Sequence, residues 1–135
     1  MRTLIVEDDF VSRIILQKYL SVYGDCDIAV DGEEAIQAFT LAWEASAPYD
    51  LICMDIMMPN LNGQAALRRI REIEHQRGAS GREVKVIMTT AVNDKKQVME
   101  AFYKGGASSY FVKPIDRNKL IEELRTLGLI GDDDA

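Results

Sequence analysis

Five short apolar or β-branched stretches, at 3–6, 27–30, 51–54, 84–88 and 109–112, alternate with segments of helical periodicity. This alternation limits the possible folds more than any other feature of the chain. Stretches this short, apolar along their whole length, read as strands covered on both faces. The first intervening segment carries Val11, Ile15 and Tyr19 with Leu16, Leu20 and Tyr23. The second carries Ile36, Phe39 and Trp43 behind Asp31 as N-cap. A third has Ala66, Leu67, Ile70 and Ile73, a fourth Val98, Ala101 and Phe102, and a fifth Leu120, Ile121, Leu124 and Leu127. Regular strand–helix alternation predicts an α/β fold: a doubly wound, five-stranded parallel sheet with right-handed crossovers and helices on both faces. Ligands of such a sheet bind outside the carboxyl ends of its strands.

With 135 residues, one domain must account for everything. We expect it over 1–127, followed by an acidic tail over 128–135 that holds Asp132, Asp133 and Asp134 and is expected to be disordered. Loop 77–82, with Gly78, Ser80 and Gly81, reads as a connector within that domain. A net charge of -6 argues against nucleic acid as a direct ligand. No apolar run is long enough to span a membrane, and the N-terminus lacks a signal peptide's apolar core, so a cytoplasmic protein is expected. Cys26 and Cys53 have no metal-type spacing and read as reduced thiols, which sets zinc aside.

The polar residues gather where this frame puts ligands. Glu7, Asp8 and Asp9 follow the first strand, Asp55 the third, Thr89 and Thr90 close the fourth, and Lys113 the fifth. Neighbouring strands run about 4.7–4.9 Å apart, so these side chains converge on one crevice. Crowded carboxylates repel, and hard oxygen ligands without His or Cys favour Mg2+, which leaves positions open for phosphate oxygens. A carboxylate beside such an ion can attack phosphorus and form an aspartyl phosphate, helped here by Lys113 and the Thr90 hydroxyl. Singly, each residue has a plainer role: Asp8 or Asp9 could cap the first helix, Asp55 could serve a turn before Pro59-Asn60, Thr90 could be strand filler and Lys113-Pro114 a strand stop. Four strand ends that each supply what phosphoryl transfer needs favour the joint reading.

With those residues assembled, the chain resembles the receiver domain of two-component response regulators from Arg2 to about Leu127. The resemblance rests on Val6-Glu7-Asp8-Asp9, Met54-Asp55-Ile56-Met57-Met58-Pro59, Met88-Thr89-Thr90-Ala91 and Tyr110-Phe111-Val112-Lys113-Pro114. It implies the flavodoxin-like strand order 2-1-3-4-5. It further implies that Asp55 takes a phosphoryl group from a histidine kinase or histidine phosphotransfer protein. Asp9, Asp55 and the Met57 backbone carbonyl would hold Mg2+, with Asp8 acting through a metal-bound water. Thr90 and Tyr110 would form a coupled switch pair, Lys113 would contact the phosphate, and Asn62-Gly63 and Gly106-Ala107 would occupy turns. Such a protein is a switch that catalyses only its own phosphotransfer and dephosphorylation.

Met57 and Val92, two residues beyond Asp55 and Thr90, are apolar where a polar side chain would position water, which predicts hydrolysis on the scale of hours. With only about eight residues beyond the fifth helix, output is expected through a protein target. Met99 and Tyr103, one helical turn apart, would join Tyr110 as a partner surface if exposed, for that target or for a phosphorylation-linked homodimer in place of a monomer. His75 reads as a solvated helix end, Trp43 as packing, and Met54 and Met88 as core. Rival functions fare worse. A magnesium-dependent aspartyl-phosphate hydrolase would want a second Asp where Met57 stands. A flavin carrier would want a glycine-rich loop where Glu7-Asp8-Asp9 stands, and no P-loop occurs. A phosphorylation-independent docking module would leave an intact site idle.

Overall fold

The computed structural model describes residues 1–91 and 106–132. Strands β1 (Thr3–Val6), β2 (Cys26–Ala29), β3 (Leu51–Asp55), β4 (Lys85–Thr90) and β5 (Ser109–Val112) form one parallel sheet in the order β2-β1-β3-β4-β5. The described helices are α1 (Phe10–Leu20), α2 (Gly32–Glu44), α3 (Gly63–Gln76) and α4 (Arg117–Thr126). The helical pattern through Val98, Ala101 and Phe102 lies outside the described residues, as do Val92, Met99, Tyr103, Asp133 and Asp134.

Strand pleating divides the core in two. Leu4 and Val6, Ile52 and Met54, and Val86 and Met88 point to one face, against Ala35 and Phe39 of α2 and Ala66, Leu67 and Ile70 of α3. Ile5, Leu51, Cys53 and Ile87 point to the other, against Leu16 and Leu20 of α1 and Leu120 and Leu124 of α4. Each large aliphatic side chain buried this way contributes about 1.5–3 kcal/mol. Double-sided burial is why these strands read as continuous apolar runs.

Three strands sit differently from their sequence expectation, and of these β3 simply runs one residue further, to Asp55, which pairs with Thr89. β2 starts at Cys26 and stops before Val30, whose N–H is taken by the Glu34 side chain at 3.0 Å. β4 starts after Val84, whose N–H donates to Glu74 at 2.6 Å and whose carbonyl accepts from Arg71 at 2.8 Å, and it runs on through Thr90. α1 also differs. Leu16 and Leu20 are buried as expected, but Val11 and Ile15 face solvent along with Phe10 and Ile14. In α3 the expected Ala66, Leu67, Ile70 and Ile73 are all buried. Asp9, Asp31, Asn62 and Asp116 cap the four helices, each accepting the N–H three residues on.

Candidate functional site

The pleat that turns Ile5, Cys53, Ile87 and Phe111 to one face returns, two residues later, with Glu7, Asp55, Thr89 and Lys113. Four side chains from four adjacent strands therefore form a row at the carboxyl edge. Glu7 extends the ladder by donating its N–H to Ala29 at 3.0 Å, and Asp55 lies opposite Thr89 in register. Gly63 lets α3 start hard against this edge, because a Cβ there would lie 2.2 Å from the Asp55 carbonyl oxygen. Asn62-Gly63 is thus the helix cap, and Gly106 turns with φ +75°.

Lys113 reaches along the row, with Nζ 2.7 Å from Glu7 Oε2 and 3.1 Å from Asp55 Oδ2, the latter a hydrogen bond. Its backbone N–H donates to the Thr90 carbonyl at 2.7 Å, so the strand ladder fixes the root of the side chain. One carboxylate oxygen from each of Glu7, Asp8 and Asp55 lies within 4.8 Å of the others. Glu7 is wholly buried and Asp55 nearly so, while Asp8 is exposed. Burial pushes the Glu7 carboxyl up from 4.5 to about 7; Lys113 opposes that rise and Asp55 adds to it. Burial pulls the Lys113 ammonium down, but its bonds to Glu7 and Asp55 outweigh this and leave it raised.

The cluster contains Glu7 and Asp8 but not Asp9. Asp9, expected on the metal, instead accepts the Ser12 N–H at 2.9 Å as the N-cap of α1. That contact, made through both the side chain and the backbone of Ser12, holds its carboxyl below the usual value. Glu7, to which sequence reasoning gave no role of its own, stands in the cluster in its place. Its signal was available: Ile5 and Glu7 share strand parity, whereas Asp9 precedes the helix. Thr89 was also passed over, and its buried hydroxyl has no hydrogen-bond partner among the described residues.

The remaining expected site residues fall as follows. Thr90 is buried at the end of β4, and Tyr110 is 38% exposed on β5, one pleat repeat away on the same face. Met57 is exposed and donates its N–H to Asp55 Oδ1 at 3.2 Å. Trp43 packs edge-on against Phe39 with centroids 5.9 Å apart, and both cysteines are free, with Cys53 pushed up to about 12 by burial. A cavity of about 580 Å3 lies away from the carboxyl edge, lined by Trp43, Tyr49, Arg77 and Arg82. No described helix is long and apolar enough to cross a membrane.

A buried aspartate, two further carboxylates and a lysine at the carboxyl edge of a doubly wound sheet match the receiver class of phosphoacceptor. Comparison with known proteins agrees. The model of the response regulator receiver domain matches residues 3–125. The chemotaxis protein CheY of Treponema pallidum is 35% identical over 129 residues, covering 93% of this chain and 81% of that protein. The CheX–CheY–BeF3–Mg2+ complex from Borrelia burgdorferi aligns with TM-score 0.81 at 26% identity, over 96% of this chain and 90% of the other. The Saccharomyces cerevisiae complex of the histidine phosphotransfer protein Ypd1 with the receiver domain of Ssk1 aligns with TM-score 0.79 at 28% identity, over 99% and 94%. The chain belongs to the response regulator receiver domain family, whose members are in general non-enzymatic switches, and it acts as a phosphoacceptor in two-component signalling.

Proposed function

We propose that Asp55 is the phosphoacceptor, that a histidine kinase or histidine phosphotransfer protein is the donor, and that phosphorylation alters binding to a protein target. The observation that carries this reading is the buried Asp55 carboxylate held by Lys113 at 3.1 Å within a three-carboxylate cluster. The donor set fits Mg2+, being hard oxygen only. Asp8 and Asp55 with the Met57 carbonyl would hold the ion, Glu7 assisting through water, each acidic role moving one residue back from the sequence expectation. When bound, the ion offsets charge on the transferring phosphoryl group.

An Asp55 oxygen forms the new O–P bond as the donor's N–P bond breaks, and the leaving imidazole keeps the electron pair and takes a proton from solvent. Lys113 and the Thr90 hydroxyl donate to the phosphoryl oxygens. Drawing Thr90 toward them frees space on the face it shares with Tyr110, which is the switch. The donor docks on the solvent-facing apolar side of α1, formed by Phe10, Val11, Ile14 and Ile15. A groove of about 380 Å3 leads from Val11 and Ile15 to Lys113 and Ile115, beside the acceptor. Such a donor implies a cytoplasmic setting. The domain spans 1–127, and output runs through Tyr110 with Met99 and Tyr103, in a monomer or a phosphorylation-linked homodimer.

The test is incubation with acetyl phosphate, with and without Mg2+, alongside Asp55→Asn, read by intact mass. A metal-dependent gain of one phosphoryl group that the variant loses is expected. No gain under any condition would favour a docking module.

A further inference from the structure

The loop between β3 and α3 carries the Met57 carbonyl, and its far half is tied to a different part of the fold. Asn60 holds φ +65°, a left-handed conformation uncommon outside glycine. Its amide donates to Asp31 Oδ2 at 2.8 Å, while Asp31 Oδ1 accepts the Glu34 N–H at 2.9 Å as the N-cap of α2. Next along, the Gly32 N–H donates to the Leu61 carbonyl at 3.1 Å. A Cβ on Gly32 would lie 2.4 Å from that oxygen, so the approach requires glycine. Asp31 is nearly buried, and its carboxyl is held below the usual value by the Glu34 N–H and by Asn60, which keeps it an acceptor at neutral pH. One carboxylate therefore both caps a helix and grips the acceptor loop.

We infer that Asp31 and Asn60 are positioning residues for the metal site: their hydrogen bond fixes the loop so that the Met57 carbonyl faces the Asp8–Asp55 carboxylates. The inference rests on the reading of those groups as the Mg2+ site. Neither residue touches the cluster, since Asp31 and Asn60 act through the backbone between Asn60 and Asp55. Loss of such an outer partner typically weakens metal binding by about 10- to 100-fold.

The test uses Mn2+ as probe, with free ion counted by electron paramagnetic resonance and thermal midpoints measured on the same samples. Asn60→Gly cuts the bond while easing the left-handed backbone, so a purely structural role predicts unchanged affinity and equal or higher stability. Asp31→Ser keeps a good helix cap but removes the acceptor. Each is expected to weaken Mn2+ binding about tenfold with little change in midpoint, and the double variant is expected to be no worse than either alone. The exchange of Asp31→Asn with Asn60→Asp reverses donor and acceptor and is expected to restore affinity. Affinities within twofold of wild type in both single variants overturn the inference. A wild-type protein that binds no Mn2+ overturns the metal-site reading and the clamp with it.

Discussion

Glu7 makes the metal-free protein prefer acid within a defined window. Its carboxyl titrates near 4.5 when unfolded and is pushed to about 7 in the fold, chiefly by burial. Between these values the folded state holds a proton that the unfolded state has lost. Stability from this group is therefore complete below pH 4.5 and is lost as pH rises through 7, at about 1.4 kcal/mol per pH unit, or about 3 kcal/mol in all. Lys113, raised, stays charged throughout. Asp9, Asp31 and Glu83, all lowered, lose their contributions below the window as pH falls through their folded values. The assay is urea unfolding in EDTA from pH 5 to 8. With m of about 1–3 kcal/mol/M the wild-type midpoint should fall by about 1 M or more, and Glu7→Gln should flatten the profile, its amide oxygen still accepting the Asp9 N–H that Glu7 accepts at 3.1 Å. Saturating Mg2+ at pH 8 should recover the lost midpoint in wild type, because binding draws on the ionised carboxylate. Midpoints of wild type and Glu7→Gln that move in parallel would refute the burial argument.

Three other perturbations follow from particular contacts. Thr89→Val removes a buried hydroxyl that has no partner among the described residues and should stabilise the unphosphorylated protein by about 1 kcal/mol; a lower urea midpoint would count against this. Arg71→Met strands Glu74, which is buried at 1% exposure and paired with Arg71 at 2.7 Å, and should cost about 3–5 kcal/mol in denaturant unfolding; a loss under 1 kcal/mol would show that Val84 N–H alone satisfies the carboxylate. The phosphoaspartate should persist for hours, and Met57→Asn, at an exposed position two residues past the acceptor, should shorten its life about tenfold, less than the ~10²–10⁴ of a fully aligned acid or base; decay of the wild type within seconds, followed by intact mass, would refute the role given to the apolar side chain.

The fold was legible because both faces of the sheet are covered. In β1, buried along its whole length, sequence and structure agree to the residue, and they agree in β5 as well although Tyr110 and Val112 are exposed. In β2 and β4 boundaries moved where a side chain captured a backbone group: Glu34 took the Val30 N–H from β2, and Glu74 with Arg71 took both polar groups of Val84 from β4, whereas β3 gained Asp55 by pairing with Thr89. Such captures link positions 4 to 13 residues apart through polar atoms, and hydrophobic periodicity carries no trace of them. α1 departed for a different reason. Its apolar residues occupy more of its circumference than the sheet can cover, and periodicity does not say which of them the sheet takes.

The site was legible as a set of strand ends, but the assignment within Glu7-Asp8-Asp9 turned on a conflict between two local rules. A resemblance that names an acidic pair fits Asp8-Asp9 as well as Glu7-Asp8. Pleat parity separates them, since Glu7 lies two residues past the inward-facing Ile5 and shares its face with Asp55 and Lys113. Capping gives the same answer from the other side. Once helix α1 begins at Phe10, the residue before it must satisfy orphan N–H groups, and Asp9 meets the Ser12 N–H at 2.9 Å. An aspartate that caps a helix has one oxygen fixed at the helix start, and the acidic residues gathered beside Asp55 are the two before it. Asp31 also caps a helix, but its second oxygen accepts from Asn60. What separates the two caps is the neighbouring chain: the acceptor loop runs past α2 closely enough that Gly32 must be glycine, and this closeness lets the Asp31 cap also reach Asn60.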